Sequence, residues 1–146
     1  MKRIIIFLIS VFFASAALYA TNDKVISLSE LPVKAQTMIK KHFPNQTVSF
    51  VKMDRDWLSK SYEVVFSNGD KIEFDKSGDW IDIDCEYTSV PTELIPARII
   101  AQVSANYSGQ KVTKIEKKRR GRYEVELSNQ IELTFDKNFK LIELDR

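Results

Sequence analysis

Few residues of this chain have side chains that commonly perform catalysis. His42 is the only histidine and Cys85 the only cysteine. Enzymes need several reactive groups that converge, and a hydrolytic triad has little to draw on here. We expect His42 to lie at a helix end and Cys85 to be a small core residue; the alternatives are a catalytic base and a reactive or intermolecularly bonded thiol. The sequence therefore predicts a protein that is not an enzyme.

Four carboxylates lie close together in sequence, at Asp75, Asp79, Asp82 and Asp84. Calcium binds several carboxylate and carbonyl oxygens, so a cation site is one interpretation. The spacing does not match an EF-hand loop. A turn accounts for Asp75, and the solvated side of a strand accounts for Asp82 and Asp84. We therefore expect no metal and no other cofactor.

Basic residues concentrate around one predicted hairpin, at Lys114, Lys117, Lys118, Arg119, Arg120 and Arg122. Such a run usually forms a solvated tip that discourages edge pairing, and the alternative is contact with an anion or an acidic partner. Two tryptophans are predicted to be partly exposed, and tryptophan is frequent among interface anchors. The predicted partner-binding residues are Trp57, Trp80, Lys118, Arg119 and Arg120.

The chain aligns with itself in two blocks, which indicates a repeated structural unit. Residues 31–54 match residues 95–118 without gaps, and residues 62–84 match residues 123–145 with 10 identities in 23 positions. Each unit opens with apolar residues spaced four apart, which is typical of an amphipathic helix. These residues are Leu31, Ala35, Ile39 and Phe43 in the first unit and Ile95, Ile99, Val103 and Tyr107 in the second.

After each helix the apolar period changes to two, which predicts half-buried antiparallel strands. Ile81 with Ile83, and Ile142 with Leu144, are predicted to face the core, which leaves Trp80 on the opposite face. The positions predicted to face water are acidic, at Glu63, Glu73, Glu124, Glu126, Glu132 and Glu143. The predicted fold class is α+β, a tandem duplication of a helix plus four antiparallel strands that forms one curved sheet of about eight strands with two helices on one face.

The N-terminus has the pattern of an export signal. Lys2 and Arg3 precede an apolar run at residues 4–13 and small residues that end at Ala20. This is typical of a secretory signal peptide; a retained anchor is disfavoured because the run is shorter than the ~20 residues of a membrane span. We therefore predict a signal peptide at residues 1–20 and one exported domain at residues 21–146, with repeats at about 28–86 and about 90–146.

Charge excludes two classes of partner. The chain has 22 basic and 20 acidic residues, and removal of Lys2 and Arg3 leaves a formally neutral protein. A neutral chain is not captured electrostatically by nucleic acid or by an anionic membrane. We therefore predict no nucleic acid partner and no membrane partner after signal cleavage.

Four short segments form a recognisable set of motifs: Phe74-Asp75-Lys76-Ser77-Gly78-Asp79-Trp80, Leu31-Pro32, Phe43-Pro44 and Tyr62-Glu63-Val64. With these motifs the sequence resembles the exported PepSY-like proteins of Bacteroidetes. The resemblance implies a fold like that of the beta-lactamase inhibitory protein, a periplasmic location and a role in binding or inhibiting another protein. The second unit has Gln130 and Phe139 where the first has Gly69 and Gly78, from which we expect altered turns.

The leading functional hypothesis is a periplasmic, non-enzymatic binding protein, an inhibitor or accessory factor for another envelope protein. It would bind that protein or peptide through the helix-free face of the sheet and through the hairpin loops near Trp57 and Arg119. The first alternative is an envelope binder of a small ligand or cation, which a well-formed apolar pocket with convergent polar groups would favour. The second, ranked last, is an enzyme, which a buried carboxylate pair with perturbed pKa in a cleft would favour.

Overall fold

The computed structural model describes residues 23–55 and 59–146. The predicted signal peptide therefore lies outside the described residues. The helices are α1, Val33–His42, and α2, Ala97–Asn106. The strands are β1 (Lys24–Ile26), β2 (Val48–Arg55), β3 (Lys60–Phe66), β4 (Lys71–Asp75), β5 (Trp80–Asp84), β6 (Val112–Lys117), β7 (Tyr123–Leu127), β8 (Glu132–Phe135) and β9 (Leu141–Asp145).

All nine strands form one curved antiparallel sheet, and each strand pairs with its neighbours in chain order. The α+β class with two helices is thus confirmed. The sheet has nine strands rather than about eight because Lys24–Ile26, ahead of the first helix, pairs with the outer side of β2. Each half runs from a helix to four strands, and β5 pairs with β6 across the two halves.

The helices form where apolar residues recur every four positions. Ala35 and Ile39 are the buried residues of α1, and Ile99 and Val103 are those of α2. A proline at the N-cap precedes each helix, where its missing N–H removes no helical hydrogen bond. No helix of the described residues is long and apolar enough to cross a membrane.

Both helices pack against one face of the sheet and share a single core with it. The largest fully buried side chains are Phe66, Phe74 and Phe135, which all come from strands. Burying an aromatic or aliphatic side chain of this size contributes about 1.5–3 kcal/mol. The core is therefore built mainly by the sheet. The other face of the sheet carries no helix of the described residues, and we call it the helix-free face.

Two of the predicted strand orientations are wrong because the ladders contain irregularities. Between β4 and β5 the register shifts, so that Phe74 pairs with Trp80 and the Trp80 ring packs against the core, while Ile81 does not join the core cluster. The same shift between β8 and β9 places Leu141 against the core and leaves Ile142 50% exposed. One extra residue in a strand reverses the alternation that a period of two assumes.

The expected alteration of the second unit's turns is also wrong. Gln130 and Phe139 adopt φ values of 66° and 62°, in the same left-handed region as Gly69 at 94° and Gly78 at 86°. The turn hydrogen bond is also kept. The backbone N–H of Gly69 donates to the Phe66 carbonyl at 3.0 Å, and that of Gln130 donates to the Leu127 carbonyl at 2.8 Å. The second unit therefore keeps the turn and carries the strain of a side chain there.

Candidate functional site

Acidic side chains line the helix-free face of the sheet. Five neighbouring strands each place one carboxylate directly opposite the next, and we call these five residues the carboxylate row: Glu63, Glu73, Asp82, Glu116 and Glu124. Neighbouring strands are separated by about 4.8 Å, so each carboxylate lies close to the next one. Like charges directly opposite each other destabilise a sheet. The row is therefore a concentration of negative charge that the fold does not require.

Three lysines form ion pairs with the carboxylate row. Lys118 Nζ lies 2.7 Å from Glu116 Oε2 and 3.0 Å from Glu124 Oε1. Lys52 and Lys114 each approach one carboxylate of the row at 3.8 Å. All these side chains are partly exposed, and exposed ion pairs stabilise a protein by only about 0–1 kcal/mol. The lysines therefore offset the repulsion only in part.

The negative charge at the centre of the row, on Glu73 and Asp82, is the least compensated by neighbouring groups. Burial is the main cause that raises the pKa of Asp82, to about 6; Lys114 opposes this rise and Glu116 adds to it. Burial, followed by the charge of Glu63, also raises the pKa of Glu73. Oδ1 of Asp82 is buried and has no hydrogen-bond partner among the described residues. A cationic group placed here would therefore relieve an existing electrostatic cost.

Shallow depressions lie along this face. One, about 230 Å³, is lined by Asp23, Lys52, Asp54, Ser61, Glu63 and Glu73. Another, about 110 Å³, is lined by Lys114, Glu116, Glu124, Glu126 and Glu132. A third, about 240 Å³, is lined by Asp84, Glu86, Thr113, Lys114 and Glu126. Their linings are charged or polar throughout. A partner that fits them must present polar or cationic groups rather than an apolar surface.

The predicted basic residues divide into two groups. Lys118 points back to the carboxylate row through its two ion pairs. Arg119 and Arg120 are exposed in the short 3₁₀-helix Arg119–Gly121 that joins β6 to β7. The structure therefore places a cationic tip at one edge of an acidic face.

Of the two tryptophans, the structure describes only Trp80. Trp80 packs against the core, and Lys117 Nζ lies 3.7 Å from the centre of its ring. This cation–π contact covers the indole with the lysine next to Lys118. Trp57 lies outside the described residues. The binding role predicted for Trp80 and Trp57 therefore stays a prediction.

The acidic turn has a structural explanation. Oδ1 of Asp75 accepts hydrogen bonds from the backbone N–H groups of Ser77, at 2.8 Å, and Asp79, at 3.0 Å. The turn interpretation of Asp75 is thus confirmed. Within residues 23–55 and 59–146, no group of three or more histidine, cysteine, aspartate or glutamate side chains is arranged to hold a metal ion.

Cys85 and His42 lie where we expected them. Cys85 is fully buried in the core, and burial raises the pKa of its thiol to about 12, with a further contribution from the charge of Asp70. His42 is the last residue of α1. A thiol with so high a pKa is a poor nucleophile because the thiolate is the reactive form.

Asp70 is a structurally important residue that we did not single out from the sequence. Its side chain is buried, and Oδ2 accepts hydrogen bonds from Thr88 Oγ1 at 2.7 Å, Asn68 Nδ2 at 2.8 Å and Gln46 Nε2 at 3.2 Å. It thereby joins the β3–β4 turn to the loop after α1 and to the segment between the two halves. The available signal was its replacement by Ile131 at the matching position of the second unit.

Comparison with known proteins identifies the family. Residues 60–143 match the family model described as "Putative beta-lactamase-inhibitor-like, PepSY-like". The match covers more than half of the chain, so the protein belongs to the PepSY-like family, as its sequence motifs predicted. A comparison with curated proteins gave no match.

Solved structures of Bacteroides proteins are similar over nearly the whole described chain. A "putative calcium-regulated periplasmic protein" from Bacteroides thetaiotaomicron is 50% identical, with a TM-score of 0.82 over 85% of this chain and 97% of its own. A "putative periplasmic protein" of the DUF2874 family from Bacteroides vulgatus is 46% identical, with a TM-score of 0.83 over 87% of this chain and 99% of its own.

A third structure, also a Bacteroides vulgatus periplasmic protein of unknown function, is 39% identical, with a TM-score of 0.79 over 85% of this chain and 99% of its own. All three relatives are described as periplasmic, which supports a periplasmic location for this protein.

Proposed function

We propose that this protein is a non-enzymatic binding protein of the periplasm that holds another envelope protein or peptide through the helix-free face of its sheet. Residues 1–20 are then a signal peptide that is cleaved on export. The two halves, each a helix followed by four strands, arose by tandem duplication. Whether the protein inhibits or assists its partner would depend on which surface of the partner it covers.

The carboxylate row is the observation that carries this proposal. A row of five carboxylates, each opposite the next, costs stability that the fold could avoid with neutral residues. A partner surface with lysine or arginine side chains would relieve the repulsion between these carboxylates. Electrostatic complementarity of this kind favours fast and selective association.

The basic tip extends this surface. Arg119 and Arg120 are exposed beside the end of the row that Lys118 occupies. A partner that places basic groups over the row and an acidic group near the tip would match both signs of charge. Opposite charges at two ends of one surface fix the orientation in which a partner docks.

A cation is the second candidate ligand. The motivation is the relative described as calcium-regulated, together with the unpartnered oxygen of Asp82 in a row of carboxylates. Calcium that binds only the folded state would raise the melting temperature of the wild-type protein. The rise should disappear in Asp82→Asn, and equal melting temperatures with calcium and with a chelator would exclude this candidate.

The test of the main proposal is capture of a partner from an envelope extract with the mature protein as bait. Three baits are compared: the wild type, the double variant Glu73→Gln/Asp82→Asn, and the control Glu93→Gln. Glu93 is exposed in the 3₁₀-helix that precedes α2, away from the row. Neutralising two opposed carboxylates should stabilise the fold, so lost capture cannot be attributed to unfolding.

We expect the wild type and Glu93→Gln to retain the same protein and the double variant to lose most of it. Retention should weaken as salt is added, because exposed charges are screened within about 10 Å at 0.1 M salt. Equal capture by the wild type and the double variant would refute the row as the binding surface.

A further inference from the structure

The last strand of the sheet has a free edge. β9 is the final strand in the order, and within residues 23–55 and 59–146 it pairs only with β8. Alternate N–H and C=O groups on its outer side therefore lack a strand partner. Its side chains Ile142 and Leu144 are 50% and 40% exposed. An edge of this kind is a template for another strand.

The register shows what each face of this edge presents. Leu144 pairs with the buried Leu133, so it lies on the core face. Glu143 pairs with Thr134 and Asp145 pairs with Glu132, which places both carboxylates on the helix-free face. The edge thus has an apolar position on one face between two acidic positions on the other.

We propose that the outer edge of β9 binds an extended segment of another protein in which basic and aliphatic residues alternate. Lysine or arginine residues of this segment lie opposite Glu143 and Asp145, and an aliphatic residue covers Leu144. The backbone hydrogen bonds continue the sheet by one strand, and the alternation sets the register.

The charge next to this edge favours a basic segment. Asp145, Glu132 and Glu126 follow one another on neighbouring strands of the helix-free face. A hydrogen bond with Glu124 is the main cause that raises the pKa of Glu132; burial and the nearby negative charges, that of Asp145 among them, add to it. The edge therefore lies in a negative potential, and a cation beside Asp145 would stabilise the ionised form of its neighbours.

A second copy of this chain is a poorer occupant. If two β9 strands paired with two-fold symmetry about Glu143, the two Glu143 side chains would be opposed; symmetry about Leu144 would oppose Glu143 and Asp145. Both registers place like charges opposite each other. Pairing of β9 with β1 of a second copy would bring no cation to the helix-free face either. The only residue of β1 on that face is Val25, which pairs with Lys52.

This inference concerns a different surface from the carboxylate row and stands without it. The probe is the capped peptide Lys-Val-Lys-Val-Lys with a fluorescent label, and fluorescence anisotropy measures its affinity for the mature protein. One control peptide has the same sequence with alternate backbone nitrogens methylated, which keeps the charge and removes the ladder hydrogen bonds. The second control peptide is Glu-Val-Glu-Val-Glu.

We expect the basic peptide to bind and to protect amides of β9 from hydrogen exchange. Methylation should weaken binding by about tenfold or more. The variant Glu143→Lys/Asp145→Lys should weaken binding of the basic peptide by about tenfold and should prefer the acidic peptide. Both substitutions are at exposed positions, so the fold should be retained.

Several outcomes would overturn the inference. One is the absence of binding at about 1 mM peptide, and another is equal binding of the methylated peptide. Loss of peptide binding in Glu73→Gln/Asp82→Asn would assign the peptide to the carboxylate row instead. A dimer in sedimentation of the wild type that Glu143→Lys/Asp145→Lys abolishes would show that a second copy occupies the edge.

Discussion

Glu73 on β4 lies directly opposite Asp82 on β5, so two carboxylates face each other at the centre of the helix-free face. Both groups have a raised pKa, and burial is the largest cause for each. The folded protein thus disfavours the ionised form of each group relative to the unfolded chain. Ionisation of the pair therefore lowers the free energy of unfolding, by an amount that depends on pH.

The first prediction concerns Asp82→Asn. The pKa of Asp82 is raised from 3.8 to about 6 in the folded protein, so the folded state binds more protons than the unfolded state between these values. The contribution of this group is therefore most favourable below about pH 4 and is lost as the pH rises through about 6. Asparagine removes the charge, and we expect a gain of about 1 kcal/mol at neutral pH, reduced from the full shift because the side chain is partly solvated.

Urea unfolding at about pH 4 and about pH 7.5 measures this effect. The variant and the wild type should be nearly equal at the lower pH and should differ at the higher pH. Glu93→Gln, at an exposed position outside the row, should show no difference at either pH. A variant less stable than the wild type at neutral pH would contradict the raised pKa.

The second prediction concerns the left-handed turn residue of the second unit. Gln130→Gly should raise the free energy of unfolding by about 0.5–1 kcal/mol, because Gln130 is exposed and holds φ at 66°, where a side chain strains the backbone. The reverse change, Gly69→Gln, should destabilise the protein, because a Cβ there would lie 2.8 Å from a ring carbon of Tyr87 and φ is 94°.

Thermal or urea unfolding of the two variants gives the comparison. If Gln130→Gly lowers stability, the glutamine side chain contributes contacts that outweigh its backbone strain. If Gly69→Gln has no effect, Tyr87 moves aside and the turn tolerates a side chain at both positions.

The third prediction concerns the buried hydrogen-bond network. Asp70→Ala should lower the free energy of unfolding by about 1–2 kcal/mol, because three donors lose their shared acceptor. Thr88→Val removes one of these donors. In the Asp70→Ala background it should have little further effect, since the hydroxyl no longer has a partner there. Additive effects of the two substitutions would argue against the network.

The fourth prediction concerns the thiol of Cys85. Burial and a pKa of about 12 should slow its reaction with an aromatic disulfide reagent in the folded protein by about a thousandfold or more relative to the unfolded protein. The control is Ser108→Cys in a Cys85→Ala background, since Ser108 is exposed. Rapid labelling of the folded wild type, or a covalent dimer in a non-reducing mass spectrum, would restore the reactive-thiol interpretation.

Sequence patterns predicted most of what lies within a single element. Apolar residues four apart predicted α1 and α2, including the buried positions Ile39 and Ile99. The period of two predicted the strands of each half. The turn at Asp75 and the burial of Cys85 followed from local chemistry and from strand alternation, because both depend on residues near in sequence.

The errors fall where distant residues decide the local conformation. Trp80, and not Ile81, packs against the core because the β4–β5 ladder contains an extra residue. The strand β1 was not predicted, since its three residues are ordered by pairing with β2. Gln130 keeps a glycine-like turn, which the hydrogen bond from the Leu127 N–H to the Ile131 carbonyl closes at 2.9 Å.

The candidate site shows the same division. The acidic character of Glu63, Glu73 and Glu124 could be predicted because their alternation with apolar residues placed them on the solvated face. Their meeting with Asp82 and Glu116 in one row could not be predicted, since it depends on which residues of five strands stand opposite each other. The buried position of Asp70 likewise depends on three donors from separate loops.

The sequence by itself determined the α+β class, the PepSY-like family and the two faces of the strands where their alternation is regular, because these properties arise from periodicity and short motifs. Only the tertiary structure decided the register, and with it the carboxylate row, the inward turn of Trp80 and the exposed edge of β9. The physical reason is that register is set by ladder hydrogen bonds and bulges between segments far apart in the chain. Local residue preferences carry no information about which carboxylates these bonds will bring together.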